Sequence, residues 1–522
     1  MSVIQRIINN KEYFLVAIIL LCVLLGFFTF FQIFIDDAFI FYRYGYNLVN
    51  HGIWNWHNNT DYTEAYTSFV IAALTIVPAL FHFEPFLFFK FFGTFFFFFI
   101  IYRLFTNVKD KKVRIFAIFI FVANWHTYVH AFSSLETLFW VWLLLEVFII
   151  LSKDTISTNT QIYLWILCLL LPLTRPDGIV FAVFAFIYTI WVKKNKLHVY
   201  SFSIIVLTGL VYFIWRYQYF GLLLPLPFYH KSVTKINRGF TLLFNTYTSW
   251  QYILSSILVV VLLRKNKLFL YLSGITFFLF FFLYAPAILA MNYADRFSFQ
   301  LFFPLILFSF IVLDTQNLIV QAKVKFIAFF LVLLTFSEGI YNNWIVEMAS
   351  IKQNATNAFT FPRVHYALAK HINRTHIKGL KVLFGDAGIF PYYANVETID
   401  AYGLADNFLS RNKLSEAYFN KVNPDIILIG YLTNKEEDLN NIYFSNKQMH
   451  ALIHNPKYAY EYLGYGISTE EGYFIHVYIN PKTAQYNLLK MALTDAIKDA
   501  NEQQFDFKKF ATFKYLTFYK EK

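Results

Sequence analysis

Two adjacent carboxylates, Asp36 and Asp37, follow directly on an apolar run that extends from Tyr13 to Ile35. Charge at the edge of a bilayer is costly, so such a doublet either ends a helix at the headgroups or does chemistry there. The chemistry open to it is deprotonation of an acceptor hydroxyl, stabilisation of developing positive charge, or nucleophilic attack. Arg43, Arg175, Lys231 and Arg296 lie near the ends of apolar runs. Cationic donors of this kind are what a lipid-phosphate leaving group needs as negative charge grows on its oxygen, although a lone basic residue at an interface also simply snorkels. Arg175 stands out because TRPDG puts an Arg, a Pro and Asp177 into an otherwise apolar stretch. Glu64 in TEAYTSF and Glu136 in SSLETLF are each expected to begin an apolar helix, where a carboxylate also favours the positive helix end. His51, His57, His126, His130 and His230 show no metal-ligand spacing. Asp36 with Asp37 could ligate a divalent cation, but a doublet without further ligands leaves the metal question open.

The elements that must position these residues are membrane helices. Of 522 residues, 58% are hydrophobic and 15% charged, with 66 Phe and 37 Tyr, and the mean hydropathy is +0.48. That balance excludes a soluble enzyme. At roughly 20 apolar residues per crossing, the runs between Tyr13 and Ile345 suffice for about ten or more helices. Past Ser350 the long apolar runs stop, and 17 of the 32 acidic residues and 20 of the 44 basic ones lie there. The first 350 residues keep 24 basic and 15 acidic side chains, so +9 of the +12 net charge belongs to the membrane half. The expected organisation is a polytopic helical membrane domain over 1–344 and a water-facing soluble α/β domain over 345–522. In the latter, Lys381 to Phe384 and Asp425 to Gly430 read as short strands and Asn487 to Ala500 as a helix. The first apolar run is too long for a signal-peptide core and reads as a retained helix. Cys22 and Cys168 both lie inside apolar segments and suit neither a metal cluster nor a disulfide.

The basic clusters assign the faces. Arg6 and Lys11, then Arg103 to Arg114, Lys193 to Lys196, Arg264 to Lys267, and Lys323 with Lys325 are expected on the cytoplasmic side. Charges clustered between apolar runs read as topology and not as a nucleic-acid surface. Asp36 and Asp37, Glu136, Arg175 with Asp177, the stretch Tyr219 to Lys231, and Asp295 with Arg296 then collect on the outer face. The apolar stretches Ala65 to Phe83 and Pro85 to Tyr102 break the parity unless the pair makes one net crossing. The count is then about eleven crossings, the last from about Lys323 to Ile340, with the tail outside. The Phe-rich stretch Phe91 to Ile101 reads as a lipid-facing or packing helix.

In order along the chain stand IDDAFIFYRYGYNL at 35–48, TEAYTS at 63–68, SSLET at 133–137, TRPDG at 174–178, YFGLLLPLPFYHK at 219–231, DRF at 295–297 and GDAGIFPYYANVETIDAYGLAD at 385–406. This succession resembles the terminal β-arabinofuranosyltransferase family of the mycobacterial cell wall and its bacterial relatives, within the GT-C superfamily of polyprenyl-phosphate-sugar glycosyltransferases. The resemblance runs through both halves of the chain. It implies an enzyme that takes a sugar, arabinofuranosyl or another pentosyl, from a polyprenyl phosphate at the outer side of the bacterial cytoplasmic membrane. The sugar goes to an envelope glycan or glycoprotein. By this resemblance Asp36 or Asp37 is the active-site carboxylate, and Arg43, Glu64, Glu136, Arg175 and Asp177 line the donor pocket. Lys231 and Arg296, beside Asp295, grip phosphate. Asp386, Tyr392, Tyr393, Asp400 and Gly403 contact the acceptor, close the domain over the site, or dock the tail. PLPFYHK departs from the family's usual Asn-bearing form after the Pro.

A hexosyl transferase of the same superfamily is the nearest alternative. A lipid or glycan transporter would carry polar residues deep in several helices, whereas here the ionisable residues gather at loop ends, Lys90 aside. A carboxylate that acts as base implies inversion at the anomeric carbon, and one that acts as nucleophile implies retention. The residues leave both open.

Overall fold

Apolar runs too uniform to have one wet face fold as helices, because only a helix satisfies its own backbone away from water. The computed structural model describes residues 11–31, 33, 35–57, 61–192, 198–232, 247–284, 293–315, 363–394, 396–431, 434, 446–469 and 473–502. Among these, three helices are long and apolar enough to cross a membrane: Pro85–Asn107, Lys267–Tyr284 and Tyr293–Thr315. A fourth is added if Lys111–Ala123 and Trp125–Phe132, bent by 60° at their break, make one span. Leu15–Phe30, Phe69–Leu80, Thr137–Ser152, Thr158–Thr174 and Gly178–Trp191 are apolar but shorter. These helices are fewer than the eleven crossings expected, and the expected last one, Lys323 to Ile340, falls outside the described residues. Of the stretch that breaks parity, Pro85–Asn107 is a full-length candidate, whereas Phe69–Leu74 and Ile76–Leu80 are helices of 6 and 5 residues either side of Thr75.

The chain divides into two compact units. The first comprises Met1–Gln32, Phe89–Trp215 and Thr234–Ala349; the second comprises Ile33–Phe88, Arg216–Val233 and Ser350–Lys522.

In the first unit the helix Thr137–Ser152 is apolar on every side and accordingly buried along its length, against Arg296–Thr315, Thr158–Thr174 and Gly178–Trp191. The Phe-rich run has two faces. Phe96 and Phe97 are buried against Phe139, Trp142 and Phe121, while Phe91, Phe95 and Phe98 are exposed. Gly93 is required by close approach, since a Cβ there would fall on the Ala131 carbonyl. Lys90, in the second turn of that helix, donates to the carbonyls of Phe31 at 2.6 Å and Phe132 at 3.4 Å, at the ends of Lys11–Phe30 and Trp125–Phe132. A lysine there satisfies carbonyls that a helix end leaves without partners. Glu146, fully buried inside Thr137–Ser152, is paired with Arg103, so Lys90 is not alone in carrying charge into an apolar helix.

The second unit is built on a five-stranded sheet of order β2-β1-β3-β5-β4. β1 is Lys381–Phe384, β2 Glu397–Asp400, β3 Ile426–Tyr431, β4 Glu461–Thr469 and β5 Tyr473–Ile479. β2 and β3 run parallel to β1, and β5 pairs antiparallel with both β3 and β4. β3, in the middle, is buried at all six positions, as an apolar run without alternation requires. Leu383, Ile399, Ile427, Ile429 and Tyr478 pack on one face with Phe419, Met449 and Ile453. The helix Arg363–Arg374 packs on Tyr486–Glu502, on Ile389–Ala394 and on β4. Within the same unit, Ala38–His51 lies against Phe69–Leu74 and Ile76–Leu80, and the amide of Gly45 donates to Thr75 Oγ1 at 3.1 Å.

Candidate functional site

In the second unit the turn Ile35–Asp37 leads straight into the helix Ala38–His51; Asp37 is its N-cap residue, but its side chain does not cap it. Asp36 instead reaches the tail: its Oδ1 accepts from the Ile389 amide at 2.8 Å. Desolvation pushes the Asp36 carboxyl up to about 7, opposed by His365 and by the Ile389 amide and reinforced by Asp386 and Asp37. Arg43, in the second turn of the helix, is 3% exposed, stacks its guanidinium 4.4 Å over Trp56 and donates from Nη2 to the Val396 carbonyl at 3.3 Å. Among the described residues it has no carboxylate partner, and its Nη1 has no hydrogen-bond acceptor. Burial lowers it to about 10, so it stays charged at neutral pH. Asp36 is thus held by the Ile389 amide and Arg43 by the Val396 carbonyl.

Two side-chain amides tie the described residues that follow Ala38–His51. Asn47 Nδ2 donates to the carbonyls of Asn55 and Trp56, and Asn55 Oδ1 accepts from the amides of Trp56 and Thr63. The Tyr44 hydroxyl donates to the Thr63 carbonyl and accepts from the Ala65 amide, 2.7 and 2.8 Å away. Glu64, between those anchors, does not begin a helix as the sequence suggests. Ser68 caps Phe69–Leu74 through the Ile71 amide, and Glu64 forms a two-pronged pair with Arg216, at 2.9 Å to Nε and 2.5 Å to Nη2. Burial pushes Glu64 up to about 7 against the pull of Arg216. Lys231 belongs to the helix Leu226–Ser232, and its side chain lies outside the described residues.

The tail residues divide by role. The Tyr393 hydroxyl donates to Glu84 Oε2 at 3.0 Å, and the Tyr392 ring meets Phe39 and Tyr42 edge-on. Burial pushes Glu84 up to about 7. Asp400 is fully buried and its carboxylate is taken by the amides of Tyr402 and Ala405, so it builds the turn in which Gly403 has φ +87°. That turn sets the Ala405 carbonyl 3.1 Å from His57 Nε2. Asp386 is placed with His365, which the sequence does not single out because a histidine in an amphipathic helix carries no signal of its own. Arg216 is not among the expected site residues, although an arginine inside the apolar stretch of His198–Phe220 is a detectable signal.

The first unit holds a second polar cluster. Arg175, at the break between Thr158–Thr174 and Gly178–Trp191, donates from Nη1 to Glu136 Oε1 at 2.9 Å, from Nη2 to the Tyr284 hydroxyl at 2.9 Å and from Nε to Asp177 Oδ1 at 3.2 Å. Arg296 Nη2 donates to the same Glu136 oxygen at 2.6 Å. The Tyr284 hydroxyl donates to Asp177 Oδ2 at 2.6 Å. Every nitrogen of Arg175 has a protein partner, so a phosphate there would have to displace one. Arg296 Nε and Glu136 Oε2 are buried without a hydrogen-bond partner among the described residues, which leaves the cluster one donor and one acceptor for a polar ligand. Three non-glycine residues beside it, Ser134, Ala294 and buried Asp295, hold left-handed backbone at φ 61°, 46° and 46°.

Among the described residues no group of three or more His, Cys, Asp and Glu side chains is arranged to hold a metal ion. Asp36 and Asp37 gain no third ligand of that kind among the described residues. A family described as a domain of unknown function (DUF8728) matches residues 349–488, the tail part of the second unit. No curated protein and no solved structure matches the chain.

Proposed function

We propose that the protein is a GT-C-type membrane glycosyltransferase that moves a sugar, arabinofuranosyl or another pentosyl, from a polyprenyl phosphate to an envelope glycan or glycoprotein. In this reading the chain makes about eleven crossings of the bacterial cytoplasmic membrane, with the carboxylate loop and the tail on the outer side. The observation that carries it is a partly buried carboxylate, Asp36, bonded by the Ile389 amide, together with a buried guanidinium, Arg43, bonded to the Val396 carbonyl and without a carboxylate partner among the described residues. The acceptor hydroxyl oxygen attacks the anomeric carbon and its proton passes to Asp36. The bond from that carbon to the phosphate oxygen breaks, and polyprenyl phosphate leaves with the electron pair. Arg43 is the cation offered to the charge that grows on it. A carboxyl raised to about 7 suits a general base at neutral pH better than a nucleophile that must stay ionised, which supports direct displacement with inversion.

The test is transfer of radiolabelled sugar by the purified protein in lipid, from defined pentosyl and hexosyl polyprenyl phosphates to acceptor extracted from the envelope. Transfer from the pentosyl donor is expected, rising as pH passes through about 7, the value of Asp36. Asp36→Asn should lose about 10²-fold or more. Turnover of hexosyl donors alone would change the sugar, and turnover of none would sink the enzyme.

A further inference from the structure

Asp36 is held by the turn that follows β1. Beyond the bond from Ile389, a Cβ at Gly388 would fall on the Asp36 carbonyl and carboxylate, so that turn meets the side chain with bare backbone. Two residues upstream, Asp386 Oδ2 accepts from His365 Nε2 at 2.7 Å and from the Tyr473 hydroxyl at 2.7 Å. The other ring nitrogen of His365 lies 3.3 Å from Ser468 Oγ. The imidazole is 2% exposed and packs against Phe384 and Tyr473, whereas the Asp386 side chain is 29% exposed. Both ring nitrogens are therefore engaged, and the imidazole cannot turn without breaking a bond to β4 or to the β1 turn. The charged groups acting on Asp36 are His365 from the helix Arg363–Arg374, Asp386 from the β1 turn and Asp37 from its own loop.

We propose that His365 and Asp386 are positioning residues for Asp36: an imidazole–carboxylate pair, fixed by Tyr473 and Ser468, that sets the charge state in which Asp36 works. The inference rests on the reading of Asp36 as the active-site carboxylate. On it, the matched domain supplies part of the site. A pair that only braced the turn would leave the proton affinity of Asp36 unchanged.

The measurement is an infrared titration of the full chain in lipid nanodiscs, with the Asp36 carboxyl band isolated by subtracting Asp36→Asn. In His365→Gln, which keeps a donor to Asp386 but loses the imidazole, the midpoint is expected to rise by roughly half a pH unit or more. If that variant does not fold, Asp386→Asn removes a neighbouring negative charge and should move the midpoint down. An unchanged midpoint in a folded variant overturns the proposal, whatever the activity. A shifted midpoint in a protein that transfers no sugar leaves the coupling standing and removes the transferase reading instead.

Discussion

Arg175 bonds three different side chains through three nitrogens of one planar group. A lysine ammonium at the end of a flexible stem cannot span Glu136, Asp177 and Tyr284 together. Arg175→Lys is therefore expected to destabilise the first unit by about 1–3 kcal/mol, read as a lower unfolding temperature in detergent; an unchanged temperature would return the residue to an unconstrained, lipid-facing role. Asp36 and Arg175 were legible from the sequence because charge beside an apolar run stands out. Pairings are another matter. Nothing in TEAYTS points to Arg216, because the partner lies 152 positions along the chain, and only the fold brings them together.

At the scale of elements, the turn from β1 into the helix Ile389–Ala394 depends on a residue without a side chain. Gly388→Ala should separate the Ile389 amide from Asp36, lower the unfolding temperature and open the segment 385–396 to limited protease. A protease pattern identical to wild type would show that the turn gives way freely. Periodicity and composition located β1, β3, the C-terminal helix and the two-faced Phe-rich helix, since each is decided by residues next to one another. The hairpin of β4 and β5 was not anticipated. Its alternation is blurred by Tyr and Gly, and its pairing with β3 adds an antiparallel half to a parallel one. The start of the helix after Glu64 was misplaced because Ser68, four residues on, takes the cap.

Over the whole molecule, buried acids favour a mildly acidic optimum of stability. Asp36, Glu64, Glu84 and Asp400 are each raised to about 7, chiefly by desolvation. The folded chain then binds more protons than the unfolded one between the ordinary carboxyl range and about 7, so stability falls as pH rises through that window. His57, lowered by burial to about 4, acts in the opposite sense, but only below its ordinary value and not across the upper part of the window. The unfolding temperature should be higher at pH 5.5 than at pH 8; a rise towards pH 8 would mean that these carboxylates are ionised at little cost. Activity through ionised Asp36 is then expected on the falling side of the stability curve.

The second unit is assembled from stretches that begin near residue 33, resume near 216 and finish with the tail. A ribosome delivers the first of these long before the last. Throughout that interval the amide of Ile389 and the hydroxyl of Tyr393, which later meet Asp36 and Glu84, have not been synthesised. Until then Asp36 and Glu84 lack the donors that later hold them, and a chain terminated before residue 389 leaves both without those bonds.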